Sequence, residues 1–225
     1  MLLEQLNRQN TFDGILILEC YKPEMTADIP LIIRSSDKRD APGENRYILF
    51  YDNAMDQIVR HLAGLGHREI GFLGETNTWD VRDEFCDAMR KQKLPVNPDL
   101  IYTSAQRFDR IGHEGVQTLH RRGMMPTAIV CAYDDVALGA IEELEQLGYR
   151  VPEHVSVVGI NNIQYAAHFK PPLTTVQVDE TLFIESIMKV IQSAIIEEKD
   201  CPHVYHIPAE LIVRGSTARP FSDDR

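Results

Sequence analysis

Residues 126–160 read PTAIVCAYDDVALGAIEELEQLGYRVPEHVSVVGI. Two short apolar runs, Ala128–Ala132 and Val155–Gly159, enclose a segment in which apolar residues recur every three or four positions. That segment begins at Asp134, a residue type that caps helix N-termini, and ends at Gly148, a residue type common just after a helix. The pattern predicts a strand, a helix and a second strand, which is the unit from which parallel sheets are built.

The same alternation continues on both sides of this stretch. Further short apolar runs predict strands at Gly14–Leu18, Leu31–Ile33, Tyr47–Phe50, Ile70–Leu73, Thr174–Val178 and Leu211–Val213. Helical periodicity predicts helices over Met55–Leu65, Val81–Met89, Val116–Leu119 and Thr181–Glu198. The last of these segments is apolar on more than one side, which is typical of helices that contact two partners. We therefore expect an α/β protein with mainly parallel sheets.

Charge and cysteine usage narrow the class of protein. The 225 residues carry 23 Lys and Arg against 34 Asp and Glu, a formal net charge of −11, so the chain is not expected to bind nucleic acid unaided. Its four cysteines form no Cys-x-x-Cys pair, which favours reduced and mostly buried thiols. No apolar run long enough to span a membrane and no secretion signal are present in the sequence, so we expect a cytoplasmic protein.

Signatures of enzyme chemistry are absent from the sequence. It contains no phosphate-binding loop, no Gly-x-Gly-x-x-Gly, no Gly-x-Ser-x-Gly elbow and no His-Glu-x-x-His. The eight histidines are scattered, so no metal site and no cofactor is expected. Asp134 and Asp135 form a carboxylate pair between a strand and a helix, but adjacent residues point in different directions and Asp134 is better explained as an N-cap. The prediction is a protein that is not an enzyme.

Three segments together resemble the effector-binding domain of the lactose-repressor (LacI/GalR) family of bacterial transcription regulators. The first is residues 61–74, HLAGLGHREIGFLG, in which a helix ends in Leu-Gly-His before a strand. The second is residues 126–159, quoted above, and the third is PPLTTV at 171–176 with LIVRGST at 211–217. The order and spacing of these segments agree with the family over nearly the whole chain.

The resemblance implies an α/β, two-lobed, periplasmic-binding-protein-like fold with parallel sheets flanked by helices and with the first lobe N-terminally truncated. The incomplete N-terminal lobe would comprise residues 1–66 plus 179–199, the C-terminal lobe residues 67–178 plus 200–217, and a tail residues 218–225. Family members usually begin with a helix-turn-helix headpiece, followed by a strand, a helix and a strand. By the resemblance, we expect both the headpiece and these three elements to be absent here. Such a loss would leave sheet edges unpaired, so we expect the chain to self-associate or to be poorly stable.

The resemblance also implies ligand-binding residues at the ends of strands. Arg82 matches the family's cleft arginine and would grip sugar hydroxyls or a phosphate, the alternative being a solvated residue in a first helical turn. Tyr133 stands where Asn is frequent, next to a retained acid, Asp134, and its phenol can hydrogen-bond and stack on a sugar. Asn161 stands where the family commonly has an acid that grips sugar hydroxyls, and it offers an uncharged donor and acceptor.

Three further residues are candidates for the same site. Trp79, the only tryptophan, is expected in a loop between a strand and a helix, where it would form a cleft wall, pack between lobes or be exposed. Phe108 follows in the next such loop, and Ser35 ends a strand of the first lobe.

The leading hypothesis is the effector-binding and dimerisation domain of a repressor, in which a small molecule, expected to be a carbohydrate, closes the cleft between the lobes. Its partners would be that effector, a second copy of the chain and operator DNA, the last only through an absent headpiece. One alternative is a sugar-binding protein of a transport system. A more remote alternative is an α/β enzyme that uses Asp134, Asp135 and Arg82 on phosphorylated sugars.

Overall fold

The structure, a computed structural model, describes residues 14–17, 29–34, 46–195 and 202–221. The chain divides into two compact units. The first unit takes the described parts of Met1–Asp52 and Val178–Ala209, and the second takes Asn53–Gln177 with the described part of Glu210–Arg225.

Strands and helices alternate along the described chain. In order they are β1 (Ile15–Ile17), β2 (Leu31–Arg34), β3 (Arg46–Asp52), α1 (Ala54–Leu65), β4 (Ile70–Glu75), α2 (Trp79–Lys91), β5 (Ile101–Ser104), α3 (Asp109–Arg121), β6 (Ala128–Cys131), α4 (Asp134–Gln146), β7 (Ser156–Ile160), β8 (Thr174–Val178), α5 (Glu180–Ile195) and β9 (Val204–Ile212). A short 3-10 helix, Pro98–Leu100, precedes β5.

The first unit is built on a parallel sheet in the order β1, β2, β3, β9. Ile32 lies opposite Tyr47, and Ile48 lies opposite Val204. One core of this unit gathers Ile32, Tyr47, Leu49, Val178, Val190 and Ile207, against which Leu182, Phe183, Ile187 and Ile191 of α5 pack. Burial of this apolar stripe explains why residues 180–195 form a helix despite several β-branched side chains.

The second unit carries a parallel sheet in the order β5, β4, β6, β7, β8. Its inner strands β4, β6 and β7 are buried along their whole length, as expected of strands covered on both faces. Val130 sits at the middle of this sheet, opposite Phe72 on one side and Val158 on the other. The core between this sheet and α3 and α4 includes Ile111, Val116, Ile129 and Ile141, all without solvent exposure.

Helices α3 and α4 approach each other closely through two glycines. A Cβ atom at Gly112 would collide with the backbone of Val136 and Ala140, and one at Gly139 would collide with the backbone of Asp109. The contact fixes where both helices begin, and their N-termini lie next to the ends of β5 and β6. It therefore positions the loops that carry Phe108 and Tyr133.

The predicted α/β class with parallel sheets flanked by helices is confirmed, and the differences lie in details. β5 was missing from the predicted strands because Ile-Tyr-Thr-Ser is short and only half-buried. β9 begins well before the predicted Leu211. Helix α1 ends at Leu65 as predicted, and Gly66 follows it with φ 106°.

The units and the expected lobes divide the chain differently at helix α1 and at residues 204–208, and the lobes stay a prediction. Helix α1 groups with the second unit because it packs on α2, where Lys91 donates to Asp56 at 2.7 Å. Residues 204–208 group with the first unit because they pair with β3. The expected tail is also packed at its start, since the Ala218 carbonyl accepts from Nε2 of the buried His67 at 2.8 Å.

Two of the four cysteines lie among the described residues. Cys131 is buried in β6 and Cys86 is half-buried on α2, and both are free thiols. Burial raises the pKa of the Cys131 thiol well above its usual value, which keeps it protonated. Cys20 and Cys201 lie outside the described residues.

Candidate functional site

The carboxyl ends of β4, β5, β6 and β7 lie along one edge of the sheet of the second unit. In parallel sheets ligands bind at this edge, in the loops that lead from each strand into the next helix. Six of the seven predicted site residues lie there: Trp79 and Arg82 after β4, Phe108 after β5, Tyr133 and Asp134 after β6, and Asn161 after β7. The seventh, Ser35, lies outside the described residues.

The hydroxyl of Tyr133 makes two hydrogen bonds, one as donor and one as acceptor. Its O–H donates to a carboxylate oxygen of Glu75, the last residue of β4, and its oxygen accepts from the Phe108 backbone N–H at 3.0 Å. Burial and the neighbouring Glu75 carboxylate raise the pKa of the Tyr133 phenol above its usual value, so the phenol remains neutral. Since the only O–H proton points at Glu75, Tyr133 offers a ligand its ring and not a donor.

Glu75 is only 3% exposed although it sits at the end of a strand. The same carboxylate oxygen that faces Tyr133 lies 3.4 Å from Nε of Arg107. The Arg107 guanidinium carbon in turn lies 5.0 Å from the centre of the Phe108 ring. We refer to Glu75, Arg107, Phe108 and Tyr133 as the Glu75 cluster.

Phe108 adopts a backbone conformation that side chains rarely take. Its φ is 59° and its ψ is −138°, and its side chain is nevertheless 52% exposed. The ring meets the Tyr133 ring edge to face, with centroids 6.3 Å apart. Such a conformation costs about 1–3 kcal/mol and clusters at functional sites, which agrees with a role for this exposed ring.

Asp134 does not cap α4, contrary to the sequence-based interpretation. Tyr133 occupies the N-cap position without a side-chain bond, and Asp134 is the first residue of the helix. Its carboxylate is fully buried and turns toward the loop after β7 and toward β8 instead. There it accepts from Thr175 Oγ1 at 2.5 Å and from the Ile163 N–H at 2.8 Å.

Burial raises the pKa of Asp134 to about 6, against the lowering effect of the hydrogen bonds from Thr175 and Ile163. Asp135 raises the pKa of Asp134 further, and Arg214 lowers it. The bonded carboxylate connects α4 to β8 and to the loop after β7. In this arrangement Asp134 positions the loop that carries Asn161, and its oxygens are taken by protein donors.

Asn161 and Asn162 both have positive φ, 104° and 48°, in the turn that leaves β7. Asn162 is fixed, because its amide oxygen accepts from Arg214 Nη2 at 2.7 Å and its amide nitrogen donates to Gln177 at 2.9 Å. Asn161 is tied to Val176 only through its backbone N–H, at 2.8 Å, and its side chain is exposed. The side chain of Asn161 therefore has the freedom to reach a ligand.

Arg82 and Trp79 share the first turns of α2. Trp79 is the first helical residue and is half-buried, so the expectation that it lies in a loop is wrong by one position. Arg82 donates to Asp83 at 2.7 Å, a partly exposed pair within one helix. Trp79 and Arg82 thus lie at the start of α2, directly after the loop that follows β4.

Sequence reasoning did not find Glu75 and Arg107. A signal existed for the first, because the apolar run of β4 ends in a lone carboxylate that the strand carries to the sheet edge. Arg107 gave no signal, since an arginine in a polar loop is ordinary. Among the described residues, no three His, Cys, Asp or Glu side chains converge as a metal ion would require.

Comparisons with known proteins agree with this geometry. A family model for a periplasmic binding protein-like domain matches residues 59–217. A transcriptional repressor of the helix-turn-helix type from Yersinia pestis, PurR, is 28% identical over 96% of this chain and 67% of its own length. The fold is also similar to that of a LacI-family sugar-binding regulator from Escherichia coli complexed with phosphate, at a TM-score of 0.77 and 24% identity over 96% of this chain and 81% of that one.

A LacI-family regulator from Enterococcus faecium with bound ribose is a further similar structure. It has a TM-score of 0.76 and 21% identity, and the alignment covers 98% of this chain and 84% of that one. The two solved structures therefore carry an anion and a neutral sugar on the same fold. None of the helices described for the present chain is long and apolar enough to cross a membrane.

Proposed function

The chain belongs to the periplasmic binding protein-like domains, and from this premise we propose that it is the effector-binding domain of a LacI-type transcription regulator. In this proposal the edge formed by the carboxyl ends of β4 to β7 binds a small-molecule effector. The observation that carries this proposal is that Trp79, Phe108, Tyr133 and Asn161 all follow strands whose carboxyl ends form one edge of one sheet, where the rings of Phe108 and Tyr133 meet. Binding shifts the population of two conformations of the domain, and this shift controls operator binding by a DNA-reading headpiece.

A carbohydrate is the effector that suits this edge best. The exposed Phe108 ring and the ring of Tyr133 offer flat apolar surfaces for the faces of a sugar, and Asn161 offers an uncharged donor and acceptor for hydroxyls. Purines have flat faces as well, so they are the second class to examine.

The proposed regulator is a cytoplasmic homodimer. Helix α5 supports this proposal, because Ile184 is 59% exposed and Met188, one turn later, is 47% exposed. Two large apolar side chains at this spacing form a stripe, and a second copy of the chain would bury it.

Thermal unfolding tests effector binding. The melt of the purified chain is followed by Trp79 fluorescence against mono- and disaccharides, sugar phosphates and purines. A compound present at ~100 times its dissociation constant stabilises the folded state by about 2.7 kcal/mol, which raises the melting temperature by several degrees. The same compounds are then tested on Phe108→Ala and on Phe221→Ala, which removes an exposed ring elsewhere in the second unit.

A selective shift that Phe108→Ala reduces and Phe221→Ala retains supports binding at this edge. A cooperative melt that no compound moves contradicts the proposed function. Equal loss of the shift in both variants would place the ligand elsewhere.

A further inference from the structure

The positive charge of Arg107 is matched within the Glu75 cluster. Its Nε–H donates to the carboxylate of Glu75 at 3.4 Å, and the Tyr133 hydroxyl donates to the same oxygen. Because Glu75 is only 3% exposed, the carboxylate is fixed behind these groups and cannot turn away into water. The guanidinium therefore comes to the edge already paired with an anion.

Carboxylates also outnumber arginines among the other charged groups along this edge, where Arg110 in the first turn of α3 donates to the neutral amide of Gln106 at 3.3 Å. Arg82 is paired with Asp83 at 2.7 Å. Helix N-termini often bind phosphate, but α2, α3 and α4 each carry a carboxylate in the first turn, at Asp80, Asp109 and Asp135. An incoming anion would meet no excess of positive charge here.

We propose that Glu75 determines specificity at this edge, because it neutralises Arg107 and so excludes phosphorylated and other anionic effectors. This inference rests on the proposed function in taking the edge as the effector site. An uncharged ligand can stack on Phe108 and Tyr133 without disturbing the pair. A phosphate would have to compete with a buried carboxylate for the guanidinium, at a cost in desolvation and repulsion.

Glu75→Gln tests the charge while it keeps the shape. The amide oxygen can still accept from Tyr133, but the guanidinium loses the negative charge of Glu75. Equilibrium dialysis with radiolabelled inorganic phosphate compares the natural chain, Glu75→Gln and Glu145→Gln, which removes an exposed carboxylate near the end of α4. We expect Glu75→Gln to bind phosphate at least about tenfold more tightly than either of the others, and Glu75→Gln with Arg107→Gln to lose this gain.

Equal phosphate affinity in Glu75→Gln and Glu145→Gln would overturn the proposal, and so would a gain in affinity that survives Arg107→Gln.

A second measurement needs no variant. It compares ribose with ribose 5-phosphate, and glucose with glucose 6-phosphate, by their effect on the melting temperature of the natural chain. If a phosphate ester stabilises the natural chain as much as its parent sugar does, or more, the proposed exclusion of anions is wrong. Effector binding at this edge would still be supported. If no compound of any class shifts the melt, the proposed function fails, while the dialysis still decides whether Glu75 suppresses phosphate binding.

Discussion

The hydroxyl of Tyr133 makes two bonds, to the Glu75 carboxylate and from the Phe108 N–H, and both link separate loops of the edge. Tyr133→Phe removes both bonds and leaves a buried carboxylate without one of its donors. We expect a loss of about 1–3 kcal/mol in the free energy of unfolding. Urea denaturation measures this loss.

The matched control for that change is Tyr102→Phe. Tyr102 also donates to a carboxylate, Glu114 at 3.1 Å, but Glu114 is half-buried whereas Glu75 is buried. Its loss should cost clearly less than the loss of the Tyr133 hydroxyl, since solvent can replace the missing donor. Equal costs for the two variants would argue against a special role for the Glu75 cluster.

The buried carboxyl of Asp134 makes stability depend on pH. Its folded pKa of about 6 lies above the ordinary value of 3.8, so between these values the folded chain holds the proton more strongly than the unfolded chain. The stabilisation from protonation is fully present below about pH 4 and is lost as pH rises through about 6. The natural chain should therefore lose about 2–3 kcal/mol of unfolding free energy relative to Asp134→Asn between pH 4 and pH 7.

Urea denaturation of both proteins at pH 4.5, 6.0 and 7.5 tests this expectation. The comparison with Asp134→Asn cancels the titration of the other groups that both proteins share. A constant difference between the two proteins over this range would show that Asp134 does not titrate there. Glu145→Gln, which removes an exposed carboxylate from the same helix, is the control.

Substitution of glycine by alanine should change the free energy of unfolding in opposite directions at two helical glycines, one at the contact of α3 with α4 and one on α1. Gly139→Ala would drive a methyl group into the backbone of Asp109, so we expect a loss of about 1–3 kcal/mol. Gly64→Ala lies on the exposed side of α1 with no atom within 4 Å of the added carbon, so we expect a gain of about 0.5–1 kcal/mol.

Denaturation midpoints of the two glycine variants give the signs directly. If Gly139→Ala is neutral, the two helices can separate, and they do not fix the loops that carry Phe108 and Tyr133.

How far these elements could be predicted depends on where their stabilisation originates. The run from Ala128 to Ile160 could be predicted because its strands are buried on both faces and its helix has a single apolar stripe. β5 could not, since its four half-buried residues pair with β4 through the backbone and carry no pattern of their own. Asp134 looked like an N-cap because the sequence shows its place before a helix but not Thr175, 41 positions away.

The candidate site could be predicted in outline for a related reason. Parallel strands bring their carboxyl ends to one edge whatever the loops contain, so six of the seven candidates lie at that edge. Their contact with an effector stays a prediction. Glu75 and Arg107 depend on contacts between residues 32 positions apart. Such charge pairing is a property of the folded molecule, and it changes the chemistry of the edge without leaving a motif.

Self-association of the whole chain is the last expectation, and the exposed stripe of α5 makes it specific. A dimer that buries Ile184 loses much of that apolar contact in Ile184→Gln, so we expect its dissociation constant to rise at least about tenfold. Glu185→Gln is the control, because it introduces the same side chain one position along α5, about 100° round the helix. Light scattering over a concentration series measures both variants against the natural chain. A natural chain that is monomeric at all concentrations contradicts the proposed homodimer, and a dimer that Ile184→Gln leaves unchanged must use a surface other than α5.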